Sequence, residues 1–261
     1  MNNLKWYYSK YLLQYHFLKY LKNREFAVLP SKEANSDRKA SKRNMRVHNI
    51  QSFQFWMARM DFFEKNRNVN LYYSCASYKD GVPFSDPANL SIMSDEWKLD
   101  NYKYIDSYDF LLDIDSDFSD FDFALETAKI IKLHFDLNDV PYMMRFSGRG
   151  FHFIIPYDYF RFLNLHFNPF EDGNIYSLFQ KISKRLHDDI SEMIDYSIYD
   201  SRRIMKLPYS YALYDEGAFL CCPLDTLEGF TIANYKNIQI KELKNDCIFN
   251  SGGTVKWLLK G

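Results

Sequence analysis

Two carboxylates alternate with apolar residues in Phe110-Leu-Leu-Asp113-Ile-Asp115, and 31 residues separate this run from Ser147-Gly-Arg-Gly-Phe-His152. A short apolar run of this kind reads as a buried strand. Residues at i and i+2 of a strand point to one side, so Asp113 and Asp115 aim at the same region. Acids beside Leu111 and Leu112 are costly to bury unless a cation answers them. A pair of oxygen donors suits a hard divalent ion. The Gly-rich turn adds backbone N–H groups, a Ser, an Arg and a His, which suit a polyphosphate. Together the two segments point to metal-assisted chemistry on a nucleotide.

The rest of the chain supplies a scaffold. Residues 4–22 and 51–65 read as amphipathic helices, the second with Phe55, Met57, Met60 and Phe63 as core candidates. Strands are expected at Arg24–Leu29, Leu71–Ala76 and Phe110–Ile114. Residues 31–46 carry Lys32, Arg38, Lys39, Lys42, Arg43 and Arg46 and read as a basic loop, and 80–101, with Gly81, Pro83 and Pro87, as another loop. Ser119 or Asp120 is the expected cap of a helix over 121–136. Strands 142–146 and 151–155 flank the Gly turn as a hairpin. A helix over 174–190 leads to Ile194-Asp195, the basic run Arg202-Arg203…Lys206 and a strand-rich tail.

Composition narrows the function. With 47% hydrophobic and 26% charged residues the chain is expected to be globular. A net charge of −1 gives no global basic footprint, so nucleic acid must be held by a local patch or with a partner. Cys75, Cys221, Cys222 and Cys247 form no C-x-x-C pair, so neither a zinc knuckle nor an iron–sulfur cluster is expected. Phe118 and Ala124 stand where an EF-hand loop needs Gly and Glu, which excludes that reading of the acids from Asp113 to Asp122. No apolar run reaches the ~20 residues of a membrane helix, and no signal-peptide core opens the chain. The expectation is an intracellular, cytoplasmic protein, associated with the nucleoid if it works on DNA.

Asp113-Ile-Asp115, then Ser147-Gly-Arg-Gly-Phe-His152, then Ile194-Asp195…Arg203-Ile-Met-Lys206-Leu-Pro208-Tyr-Ser210 follow one another in this order. Arg24-Glu-Phe26, Arg46-Val-His48 and Tyr72-Tyr-Ser74 precede them. In this the chain resembles the catalytic small subunit of archaeal and eukaryotic DNA primase and the wider primase-polymerase superfamily, over roughly residues 20–215. The resemblance implies an α+β primase-type fold, with a helix-rich N-terminal half packed on a catalytic half built on a sheet like that of RNA-recognition domains. It implies one catalytic domain over 1–261, divided into subdomains 1–105 and 106–261, with the site in a cleft between sheets.

Carried over residue by residue, the resemblance gives Asp113, Asp115 and Asp195 as the carboxylates for two Mg²⁺ or Mn²⁺ ions. Ser147, Gly148, Arg149, Gly150 and His152 become contacts of the incoming triphosphate. Lys206, with Arg203 or Arg202, lines the opposite side, and His48 lies near the nucleotide. The implied activity is template-dependent joining of nucleoside triphosphates into primers, on single-stranded DNA and with a large regulatory primase subunit. The alternatives are a repair, plasmid or viral polymerase of the superfamily, or a catalytically weak nucleic-acid-binding subunit. The chain departs from the family pattern in four places. Its Gly turn is one residue shorter, Ala212 replaces a common His, residues 116–146 lack the cysteine-rich zinc element, and Lys206 replaces a commoner Arg.

Overall fold

Alternation along Phe110–Ile114 has a direct structural consequence: this strand has to be covered on one face and polar on the other. The computed structural model describes residues 7–30, 42–59, 69–79, 101–236 and 243–260. They form a mixed α+β structure with antiparallel sheets. The first sheet contains β1 (Arg24–Pro30), β2 (Lys42–Met45), β3 (Val69–Tyr78) and β4 (Ile105–Tyr108) in the order β2-β1-β3-β4. A late strand, β9 (Ile204–Lys206), also pairs with β3, matching Tyr72 with Lys206 and Ser74 with Ile204.

The second sheet holds β5 (Phe110–Ile114), β6 (Met143–Phe146), β7 (Phe151–Ile155), β8 (Ile194–Asp195) and β12 (Cys222–Pro223), ordered β12-β6-β7-β5-β8. Between β9 and β12, β10 (Tyr211–Tyr214) and β11 (Gly217–Leu220) make a hairpin. Among the described residues, α1 (Tyr11–Leu21), α2 (Ile50–Arg59), α3 (Phe121–Leu137) and α4 (Ile175–Asp189) accompany the sheets.

Pairing register separates the two faces of the second sheet. Phe110, Leu112 and Ile114 stand opposite Ile155, Phe153 and Phe151, while Leu111 and Asp113 stand opposite Ile154 and His152. The aromatic face receives α3, whose Phe121 meets Phe151 at 5.7 Å and whose Phe135 meets Phe153 at 5.7 Å between ring centres. It also receives α4, whose Phe179 lies 5.0 Å from Phe110. Removing each such side chain from water is worth about 1.5–3 kcal/mol. Asn174 caps α4 by accepting from the Ser177 N–H at 2.8 Å. The polar face turns toward β3 and β9 instead, and buried apolar residues from Tyr7 to Leu258 join both sheets in one core.

Several expectations change. The helix expected over 4–22 has its main run only from Tyr11, because Tyr7 and Tyr8 are drawn inward. Tyr7 Oη donates to the Tyr209 carbonyl at 2.8 Å, and Tyr8 Oη accepts from the Tyr211 N–H at 2.9 Å. Residues 42–45, expected to belong to the basic loop, form β2. They pair with β1, so backbone bonding outweighs their charged composition. Among the described residues the N-terminal half combines the first sheet with α1 and α2. In α2 the buried apolar residues are Phe53, Trp56 and Met57, with Phe55 only partly covered; Met60 and Phe63 lie outside the described residues, as do 31–41 and 80–100 of the expected loops. Asp120 stands at the start of α3 but makes no side-chain cap hydrogen bond. The strand β4 spans the expected subdomain boundary at 105, and β9 returns to the first sheet from beyond it.

Candidate active site

Antiparallel pairing aligns four side chains in one row across the polar face of the second sheet. Asp113 on β5 stands directly opposite Asp195 on β8 and, on its other side, opposite His152 on β7. His152 in turn stands opposite Arg145 on β6. Directly opposed residues project to the same face, so the row reads Arg145–His152–Asp113–Asp195. Asp115 follows at the end of β5, where its N–H donates to the Met193 carbonyl at 3.2 Å. The three acids expected from sequence are thus neighbours on one sheet end.

Each acid already has a partner. Asp113 is half-buried, with His152 Nε2 at 3.4 Å and the Arg203 Nη2 donor at 2.6 Å. Burial works to raise the Asp113 carboxyl, but His152 and Arg203 outweigh it and hold the group below the ordinary carboxylate value. Asp115 accepts a two-pronged contact from Arg149, 2.8 Å from Nε and 2.5 Å from Nη2. Asp195 accepts from the Ser197 N–H at 2.9 Å and the Ser197 hydroxyl at 2.7 Å. Among the described residues no group of three or more His, Cys, Asp and Glu side chains forms a ready-made metal cluster. The donor chemistry nonetheless fits hard divalent ions: adjacent carboxylates, two of them now answered by positive charge.

The Gly turn closes over the same end of the sheet. Ser147 N–H donates to the Gly150 carbonyl at 3.0 Å, and Ser116 Oγ donates to the Arg149 carbonyl at 2.6 Å. A Cβ on Gly150 would overlap the Ile114 carbonyl oxygen, so glycine here lets the turn sit directly on β5. Gly148 adopts φ +113°, and a Cβ there would overlap that of Ala212. Ala212 is fully buried. The turn at Gly148 and Ala212 are therefore one packing feature: the small residue makes room for the turn.

Lysine and arginine complete the surroundings. Lys206 Nζ lies 4.6 Å from the Tyr72 ring centre and 5.8 Å from that of Tyr214, whose ring also carries the Arg149 guanidinium at 5.5 Å. Of the two adjacent arginines, Arg203 faces Asp113. Arg202 instead uses its N–H on Asp200 Oδ1 at 2.6 Å, as part of the turn before β9. His48 occupies an exposed position ahead of α2, where its N–H donates to Ser52 Oγ at 2.9 Å. No side-chain hydrogen bond or ion pair links it to the acids among the described residues.

Sequence reading missed Arg145. It is buried, clamps Asp246 through Nε at 2.8 Å and Nη2 at 2.6 Å, and donates to the Tyr73 hydroxyl across the gap between sheets. Its signal was an Arg in the middle of the apolar strand Met143–Phe146, legible only once the hairpin register sets it opposite His152. No protein-family model matches this chain, and no curated protein matches it. Among the described residues no helix is long and apolar enough to cross a membrane.

Proposed function

We propose that this chain is a nucleotidyltransferase of the primase type, joining nucleoside triphosphates on a single-stranded DNA template. The observation that carries the reading is the cross-strand row of Asp195, Asp113 and His152, capped by the turn Ser147–Gly150. Asp113, Asp115 and Asp195 would hold Mg²⁺ or Mn²⁺, which when bound offset the charge of the triphosphate and of the departing pyrophosphate. The protein's own part is alignment. The turn, with Ser147 and Arg149, offers donors beside Asp115. His152, next to Asp113, offers a ring nitrogen, and Arg203 and Lys206 line the β9 side with positive charge.

The reading carries a primase-type fold, work on DNA inside the cell, and a large partner subunit that helps hold the template. The near-neutral net charge supports such a partner. The test is primer-free synthesis on single-stranded DNA with Mg²⁺ or Mn²⁺ and ribo- or deoxyribonucleotides. Product from free nucleotides supports the reading. Extension of a supplied primer without primer-free product would move the assignment to a repair-type polymerase. Absence of both, with and without copurified partners, would refute it.

A further inference from the structure

We propose that Arg203 and Arg149 are exchangeable counter-ions, held on Asp113 and Asp115 until a divalent cation and a triphosphate bind together, then released to the phosphates. This rests on the nucleotidyltransferase reading and concerns how its site is kept closed when either ligand comes alone. Arg203 lies 2.6 Å from Asp113, and Arg149 grips Asp115 at 2.8 and 2.5 Å. These are the carboxylates that would take metal. A guanidinium and a divalent ion repel each other strongly when they share the same oxygens.

Two further observations point to exchange rather than a permanent pair. Arg203 Nε is buried without a hydrogen-bond partner, so the carboxylate leaves part of the guanidinium fork unused. An anion with several oxygens would complete it. Both arginines are also fixed at the backbone while their side chains remain partly exposed. The Arg203 carbonyl accepts from Cys75 N–H at 2.9 Å and the Arg149 carbonyl from Ser116 Oγ at 2.6 Å, with side chains 28% and 19% exposed.

Metal alone must then displace an arginine for which no phosphate is yet present. Triphosphate alone must draw the same arginine off its carboxylate, leaving Asp113 with His152 but no guanidinium, or Asp115 without its two-pronged partner. Each ligand removes the obstacle to the other, so their binding is positively and reciprocally coupled.

The test is Mn²⁺ binding to the full chain, read from the paramagnetic resonance signal of the free ion. It compares wild type, Arg203→Gln and Arg203→Lys, with and without a non-hydrolysable nucleoside triphosphate analogue, each corrected for Mn²⁺ held by the analogue alone. Arg203→Gln should bind Mn²⁺ alone about tenfold more tightly than wild type and bind the analogue about tenfold more weakly, within the usual range of coupling between sites. Arg203→Lys, which keeps the charge, should hold Mn²⁺ as weakly as wild type. If wild type takes up Mn²⁺ with the analogue but Arg203→Gln binds Mn²⁺ alone no better, the exchange is overturned and the nucleotide reading survives. If wild type takes up no Mn²⁺ under any condition, both fall. Should Arg203→Gln fail to fold by circular dichroism, Arg149→Gln applies the same criteria at Asp115.

Discussion

Replacing Arg145 by Met tests whether the row across the second sheet is anchored by buried charge. The Arg145 and Asp246 side chains are 4% and 9% exposed, so water screens the pair little. The guanidinium makes two charged bonds to Asp246, one to the Tyr73 hydroxyl, and lies 5.2 Å from the Tyr20 ring centre. Met fills much of the space of the aliphatic stem but leaves the Asp246 carboxylate buried without a cation. Breaking one side of a buried pair costs about 3–5 kcal/mol. That is a large share of the ~5–15 kcal/mol that holds a typical protein folded. Urea unfolding should show a much lower midpoint with an unchanged slope. The double variant Arg145→Met/Asp246→Leu removes the stranded charge and should recover part of the loss. A single-variant loss below about 1 kcal/mol, or a double variant no better than the single, would refute the argument.

Three smaller predictions address other parts of the molecule. Asn174→Ala removes the α4 cap and should lower stability by about 1 kcal/mol in the same urea assay. Burial pushes the Cys75 thiol up to about 12 and the Cys221 thiol up to about 11, and raises that of Cys222, whereas Cys247 is exposed. A disulfide-exchange reagent at neutral pH should therefore label Cys247 in the native protein and reach the other three only on unfolding. The Asp113 carboxyl is held below its ordinary value, so it stabilises the fold above the unfolded value of about 3.9, and that contribution disappears as pH falls through the folded value. Wild type should lose stability below about pH 4 by more than Asp113→Asn does.

The parts of the site legible in sequence are those governed by local rules. Period-two alternation sets Asp113 against Leu112 and Ile114, and a Gly turn between apolar runs announces the hairpin Met143–Ile155. What escaped depends on pairing between distant segments. Choosing Arg203 over Arg202 needs the β9–β3 register, since both residues look alike on a polar turn. Arg145 belongs to the row only through its position opposite His152. The strand Lys42–Met45 was hidden by its charges, and Ile105–Tyr108 by its brevity, because edge pairing rather than composition makes them strands. The packing of Ala212 beneath Gly148 likewise joins distant segments, so the Gly turn alone does not announce it.

On the proposed reading, Asp113 and Asp195, side by side on β5 and β8, carry metal-dependent nucleotide joining. The direct measurement is incorporation of labelled nucleotide on a single-stranded template with Mn²⁺, comparing wild type with Asp113→Asn and Asp195→Asn, each shown by circular dichroism to be folded. Wild type should give product and both variants only background. A folded Asp113→Asn protein that incorporates nucleotide at the wild-type rate would contradict that reading.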